Sequence, residues 1–256
     1  MLKIILSFIL SFSASAVEIT VGVPPVYKKL TDHQEDKIKI KFEYDRFSQR
    51  TMNRTIGGEL SMSILSPQNT IQSMWYGEIL VKRVVDDFYA YILLSPKLGK
   101  VDKEKLENKV IGVIPNSTNE YFLSKYLGKI QYRKMAVNSR ELEALIKSGF
   151  ILNGQSVDAV VVDPELYHQY QKLPSIKFNA GLYFLVLGAK SETFVSEPAF
   201  VNALKKNGIR PRNVTPLDFG AIKELNESLL KDRKDREQFE VNFQQMTKIY
   251  ASEGAK

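Results

Sequence analysis

The segment 106–123 constrains the fold more than any other, because it places a buried strand, a polar turn and a helix in direct succession. Residues 110–114 are four β-branched apolar residues and one glycine, and Ser117 or Thr118 can cap a helix that carries Glu120 in its first turn. Such a turn presents free backbone N–H groups to a polar or anionic ligand. An ordinary capped helix is the commoner case and explains the same residues, so the rest of the chain must decide.

The same alternation continues along most of the chain. Strands are predicted at 17–23, 38–44, 60–65, 81–85, 88–94, 110–114, 130–135, 157–162 and 182–187. Helices are predicted at 47–56, 71–79, 118–127, 139–148, 165–171 and 197–206. Strands that alternate with helices indicate an α/β fold with mainly parallel sheets flanked by helices. The last part, 219–250, reads as helical and carries an apolar stripe that is expected to pack in a core, formed by Phe239, Phe243, Met246 and Tyr250.

The first 16 residues have the pattern of a secretory signal peptide. Lys3 supplies a positive charge, residues 4–12 are an apolar run, and Ala14-Ser15-Ala16 is a small-x-small cleavage site. The apolar run is far shorter than the roughly 20 residues that span a bilayer. We therefore expect cleavage after Ala16, export to the periplasm and a mature protein that is not anchored in the membrane.

Composition excludes several function classes. The chain has no cysteine, which rules out a thiolate nucleophile, a thiolate metal site and a lipid-anchored lipoprotein. The formal net charge of +7 is spread along the chain and interleaved with acids, as in the run 231–237, which reads as a solvated helix face. His33 and His168 have no metal-spaced partner. No nucleic-acid partner, metal or other cofactor is expected, and catalysis is disfavoured.

Polar side chains follow three of the predicted strands. The first group is Ser66, Gln68 and Asn69; the second is Asn116, Ser117, Thr118 and Asn119; the third is Asp163. In open α/β sheets, ligands bind beyond the carboxyl ends of the strands, where loops and helix N-termini meet. The three groups together suit a small solute with donor and acceptor groups. Asp163 taken alone is at least as well explained as the N-cap of a helix that begins at Pro164.

The order of these segments resembles the extracellular solute-binding proteins of family 3, the amino-acid-binding type. The resemblance covers most of the chain up to about Gly208. The segments that carry it are 54–65 (RTIGGELSMSIL), 106–118 (LENKVIGVIPNST) and 152–163 (LNGQSVDAVVVD). They are similar to the family's glycine turn and strand, its Leu-x-Gly-Lys-x-Val-Gly-Val-x-x-Gly-Ser/Thr-Thr motif and its Leu-x-x-Gly-x-Val-Asp-Ala-Val-x-x-Asp motif.

The resemblance implies a two-lobed clamp with the type 2 periplasmic-binding-protein fold. Lobe 1 would comprise residues 17–92 and 187–256, and lobe 2 residues 93–186. Two crossing strands, near 91–94 and 183–187, would form the hinge, and an extra helical segment would follow Pro211. Such a protein captures a small polar solute between its lobes and delivers it to the permease of an ABC transporter. A monomer is expected.

Carried over by position, Thr118 would bind a ligand carboxylate or similar group, and Asp163 would bind a ligand amine. Three departures do not favour an ordinary α-amino acid: Ser66-Pro67-Gln68-Asn69 lacks the family's arginine, Ser61 replaces an aspartate and Asn116 replaces a glycine. The candidate ligand-binding set is Tyr27, Ser66, Gln68, Asn69, Tyr89, Asn116, Ser117, Thr118, Asn119 and Asp163.

Two other functions stay open on the same fold. One is an envelope interaction or sensor protein built on a clamp that no longer transports a solute. The other is an enzyme of the dehydratase type, with the cleft as its active site.

Overall fold

The computed structural model describes residues 17–45, 48–77, 79–188, 197–229 and 236–253. The predicted signal peptide (1–16), Phe47 at the predicted start of the first helix, and most of the charged run 231–237 lie outside these residues, and the side chain of Tyr250 is not described. Within the described ranges, no helix combines the length and the apolar character needed to cross a bilayer.

One mixed sheet of ten strands passes through the molecule, and a separate two-stranded hairpin lies beside it. The strands are β1 (Val17–Val23), β2 (His33–Glu35), β3 (Ile38–Tyr44), β4 (Met62–Leu65), β5 (Ile79–Leu94), β6 (Val110–Val113), β7 (Arg133–Ala136), β8 (Ile151–Leu152), β9 (Gln155–Ser156), β10 (Ala159–Val162), β11 (Ser175–Gly188) and β12 (Arg212–Asn213). The order in the large sheet is β2-β3-β1-β4-β11-β5-β10-β6-β7, and β12 pairs with β5. The hairpin is formed by β8 and β9.

Two parallel groups of strands flank a long antiparallel pair. Strands β3, β1 and β4 are parallel on one side, and β10, β6 and β7 are parallel on the other. Between them, β5 and β11 run antiparallel along nearly their whole length. The mainly parallel α/β fold predicted from the sequence is confirmed. The carboxyl ends of β4, β6 and β10 therefore point toward the region between the two groups, as parallel strand–helix units require.

The long strands differ from the sequence prediction. The separate strands predicted at 81–85 and 88–94 are one strand, β5, because Asp86 and Asp87, which look like a turn, pair with Tyr183 and Leu182 of β11. The strand predicted at 182–187 likewise begins much earlier, at Ser175. Register shifts in β11 absorb the irregularity around these acidic residues.

The helices are α1 (Ser48–Ile56), α2 (Pro67–Tyr76), α3 (Thr118–Leu127), α4 (Ser139–Lys147), α5 (Pro164–Tyr167), α6 (Glu197–Lys206), α7 (Pro216–Leu229) and α8 (Arg236–Glu253). Helix α2 begins four residues before the predicted position 71, because Ser66 caps it and Pro67 occupies its first position. Helix α5 is a single turn and ends well before the predicted residue 171. Two short 3-10 turns, η1 (Pro25–Tyr27) and η2 (Lys103–Leu106), complete the secondary structure.

The C-terminal helices α7 and α8 pack on α2. Phe239 and Met246 are fully buried and join Trp75 of α2 in one hydrophobic cluster. The Trp75 indole N–H donates to Asn226 of α7 over 2.7 Å, and the side-chain amide of Asn242 on α8 donates to two backbone carbonyls at the end of α2. The predicted role of the apolar stripe in core packing is confirmed for its described members.

Candidate functional site

A cavity of about 390 Å³ lies where the polar strand exits meet. Seven of the predicted ligand-binding residues line it, and they come from all three turns singled out in the sequence: Ser66, Gln68, Asn69, Ser117, Thr118, Asn119 and Asp163. The parallel strands bring them together, because β4, β6 and β10 all end at this cavity. A cavity of this volume suits a small solute.

Two serine-capped helices begin at the cavity. The Ser66 hydroxyl accepts from the backbone N–H of Asn69 over 3.4 Å, and the Ser117 hydroxyl accepts from that of Glu120 over 3.2 Å. Gly181 of β11 allows the starts of α2 and α3 to approach one strand. Its φ is +111°, and a Cβ at this position would lie 2.8 Å from Pro67 Cγ and 3.3 Å from the Phe122 ring. Both helix starts direct the positive end of a helix dipole toward the cavity.

The third turn is charged. Asp163 caps α5, and its carboxylate accepts from the backbone N–H of Leu166 over 2.8 Å. The N-cap role considered for Asp163 is therefore real, and it coexists with a place in the cavity lining. Burial raises the pKa of the Asp163 carboxyl above its ordinary value, although the backbone hydrogen bonds from Leu166 and Glu165 act in the opposite direction.

Glu165 adds a second carboxylate to the same lining. The Ser48 hydroxyl of α1 donates to its Oε1. Burial and, to a smaller extent, the negative charge of Asp163 raise the pKa of Glu165, the Ser48 hydrogen bond lowers it, and the net result is a pKa of about 7. At neutral pH this side chain is therefore divided between its charged and neutral forms.

Two hydrogen bonds cross the cavity. Ser48 on α1 donates to Glu165 on α5, and the Thr118 hydroxyl on α3 donates to Gln68 Oε1 on α2 over a long 3.4 Å. Each bond joins an element that follows the first group of parallel strands to one that follows the second group. The two bonds thus connect the two walls of the cavity.

The lining is rich in polar groups but lacks basic ones. No lysine or arginine belongs to the lining among the residues that the structure describes. The Asn119 side-chain oxygen is buried and accepts no hydrogen bond from that part of the chain. A buried acceptor without a donor costs free energy, on the order of 1–3 kcal/mol. A bound molecule that brings a hydrogen-bond donor would recover this cost.

Three predicted site residues lie elsewhere. Tyr27 is buried in η1 with its ring 5.2 Å from that of Tyr183, and it does not belong to the cavity lining. The Tyr89 hydroxyl donates to Asp87, and Lys177 Nζ lies 3.7 Å from the centre of the Tyr89 ring. Asn116, with a φ of +55°, lines a separate surface cavity beside α3. Their assignment to ligand binding stays a prediction.

Sequence reasoning missed several lining residues. Glu165 follows Asp163 by only two positions, so its nearness to the strand exit was a usable signal. Ser48, Phe88, Ser139 and Tyr183 come from other helices and from the long strands. Nothing in their local sequence marks them, because only the tertiary arrangement brings them to the cavity.

No protein-family model matches this chain, and no curated protein matches it. Solved structures do resemble it. The periplasmic aliphatic sulphonate binding protein SsuA from Escherichia coli superposes with a TM-score of 0.52 at 9% identity, over 84% of this chain and 87% of that one. PhnD1 from Prochlorococcus marinus, solved in complex with methylphosphonate, superposes with a TM-score of 0.52 at 14% identity, over 84% of this chain and 98% of that one.

A third similar structure is the ligand binding component of an ABC-type import system from Staphylococcus aureus, solved with zinc bound. Its TM-score is 0.51 at 15% identity, over 90% of this chain and 83% of that one. At these identities the likeness concerns the fold. The chain has the fold of periplasmic solute-binding proteins.

Proposed function

We propose that this protein is an exported solute-binding protein that holds a small polar solute in the cavity described above and delivers it to an ABC transporter. The observation that carries the proposal is the convergence of three polar strand exits on one cavity. The solved structures with the same fold include a ligand binding component of an ABC-type import system, which agrees with this function.

The finer features of the proposal rest on the sequence motifs. Residues 1–16 would direct export to the periplasm and be removed after Ala16. Residues 17–92 with 187–256, and 93–186, would form the two lobes, and the long strands β5 and β11 would link them. A solute that contacts both lobes favours the closed form, because only that form offers both sets of contacts.

We further propose that the relation to family 3 extends to two positions. Thr118, at the start of α3, would bind an acceptor group of the solute, and Asp163 would bind a donor group. The protein would act by binding, without catalysis. Its partners would be the solute and the permease.

The test is a thermal-shift screen of the purified protein against cationic, neutral and anionic solutes. A solute that binds only the folded state adds about 2.7 kcal/mol of stability at a hundredfold excess over its dissociation constant. Thr118→Ala and Asp163→Ala should weaken the response to any solute that produces one. Thr247→Ala is the matched control, because its hydroxyl donates only to the Gln244 carbonyl on α8, outside the cavity.

Two results would contradict the proposal. In the first, a broad panel gives no stabilisation. In the second, a solute stabilises Thr118→Ala, Asp163→Ala and the control equally. Turnover of a stabilising solute, lost in Asp163→Asn, would instead establish the enzyme alternative.

A further inference from the structure

The cavity contains two carboxylates to which the described part of the chain gives no basic partner. Asp163 and Glu165 both line it, and the lining contributed by the described residues includes neither lysine nor arginine. The described residues supply only partial compensation: the backbone N–H groups of Leu166 and Glu165 for Asp163, and a serine hydroxyl for Glu165. Buried carboxylates are normally paired with a positive charge, since desolvation of an unpaired one is unfavourable.

We infer that the solute of this cavity is a small organic cation, and that Glu165, together with Asp163, selects it by charge. This inference rests on the proposed solute-binding function and specifies the class of solute. A cationic group with N–H donors would complete the pairing of both carboxylates and could satisfy the Asn119 side-chain oxygen, which has no donor among the described residues.

The helix starts on the other side of the cavity do not reverse its preference for a cation. The starts of α2 and α3 favour negative charge, but a helix terminus carries only a partial charge. Each of the two carboxylates in the cavity can carry a full charge and make a charge-assisted hydrogen bond, which is the stronger interaction. An anionic solute would place a further negative charge beside them.

The aromatic lining agrees with a cation. Phe88 and Tyr183 line the cavity, with ring centres 5.1 Å apart. Aromatic rings attract organic cations through their π-faces. Hydroxyl and amide groups at the starts of α2 and α3 remain available for a polar group elsewhere on the solute.

Protonation of Glu165 should then compete with binding. Among the described residues, the titratable groups that face Glu165 are Asp163, at the end of β10, and Tyr183 on β11, with Tyr27 of η1 packed behind Tyr183. Because the pKa of Glu165 is about 7, affinity for a cation should fall as the pH drops below 7. Titration of this one group predicts that cation affinity falls about fivefold between pH 7 and pH 6.

Calorimetric titration of the full chain with matched probes tests the inference. Putrescine, butanediol and succinate share a four-carbon skeleton and differ in charge; choline and dimethylbutanol form a second cationic and neutral pair. The cations should bind, and each should bind more tightly than its neutral or anionic counterpart. Glu165→Gln should weaken cation binding by about tenfold to a hundredfold. Glu107→Gln, the same change at an exposed position outside the cavity, should have no effect.

Ser48→Ala provides a second variant that keeps the carboxylate. It removes the hydrogen bond that lowers the pKa of Glu165, so the pH midpoint of cation binding should move upward. Tighter binding of succinate or a neutral probe, or equal cation affinity in Glu165→Gln and Glu107→Gln, would overturn the inference and leave the solute-binding function standing. The absence of binding by every probe would overturn the inference alone, because the solute-binding function is decided by the broader thermal-shift panel.

Discussion

Two turns at the cavity share one backbone design and differ in charge. Ser66-Pro67 starts α2 and Asp163-Pro164 starts α5; in both, the first residue is an extended N-cap, with φ and ψ of −65° and 164° for Ser66 and −77° and 171° for Asp163. Helix α2 has ten residues and carries a neutral cap, whereas α5 has four residues and carries a carboxylate.

The difference shows how one local motif supplies opposite electrostatics. A long helix presents a substantial positive end at its start, which a serine leaves available to a ligand. A single turn provides little dipole, so the charge of Asp163 is not balanced by its own helix. Burial raises the pKa of Asp163, and it also raises the pKa of Glu165, which follows Pro164 directly.

The largest effect should come from the charged turn when pH changes. The pKa of Glu165 is about 7 in the folded protein and near 4.5 in the unfolded chain, so the folded state binds more protons between these values. Stability from this group is therefore present at low pH and lost as the pH rises through 7, by about 2 kcal/mol between pH 5 and pH 8.

Denaturant unfolding of the protein and of Glu165→Gln at both pH values measures this effect. The difference in unfolding free energy between the two proteins should change with pH by that amount, since other titrating groups cancel. A constant difference would show that the carboxylate of Glu165 is as well solvated as in the unfolded chain.

A stability difference of intermediate size should distinguish the contribution of Asp163 as a helix N-cap from the contribution of its charge. Asp163→Asn and Asp163→Ala both remove the carboxylate, but only asparagine can still accept from Leu166 N–H. The alanine variant should be less stable than the asparagine variant by about 1 kcal/mol. Equal midpoints in urea would mean that the cap contributes nothing to this one-turn helix.

The smallest effect should come from the neutral turn. Ser66→Ala should cost about 0.5 kcal/mol, at the low end for an N-cap, because the hydrogen bond to Asn69 N–H is long at 3.4 Å. The unfolding free energy of this variant should hardly depend on pH relative to the parent, in contrast to that of Glu165→Gln. A pH-dependent difference at Ser66 would remove the distinction between the two turns.

The sequence predicted these turns because their signals are local. The strands at 17–23 and 38–44 appear at the predicted bounds, and the cap at Ser117 and the turn at Asp163 are where strand, proline and hydroxyl spacing placed them. The continuity of β5 could not be predicted in this way, since Asp86 and Asp87 are held in the sheet by pairing with a strand almost 100 residues away. The contact from Ser48 to Glu165 likewise depends on tertiary structure alone.

The C-terminal helix α7 packs on both helices that begin at the cavity, α2 and α3. Helix α7 contacts α2, and it also contacts α3, where Lys125 Nζ lies 2.7 Å from Glu224 Oε1. The starts of α2 and α3 lie at the cavity and their far ends lie under α7. Any change in the angle between α2 and α3 must therefore tilt or strain α7. Under the proposed function, a solute that changes this angle on binding would therefore also move α7, which lies outside the cavity.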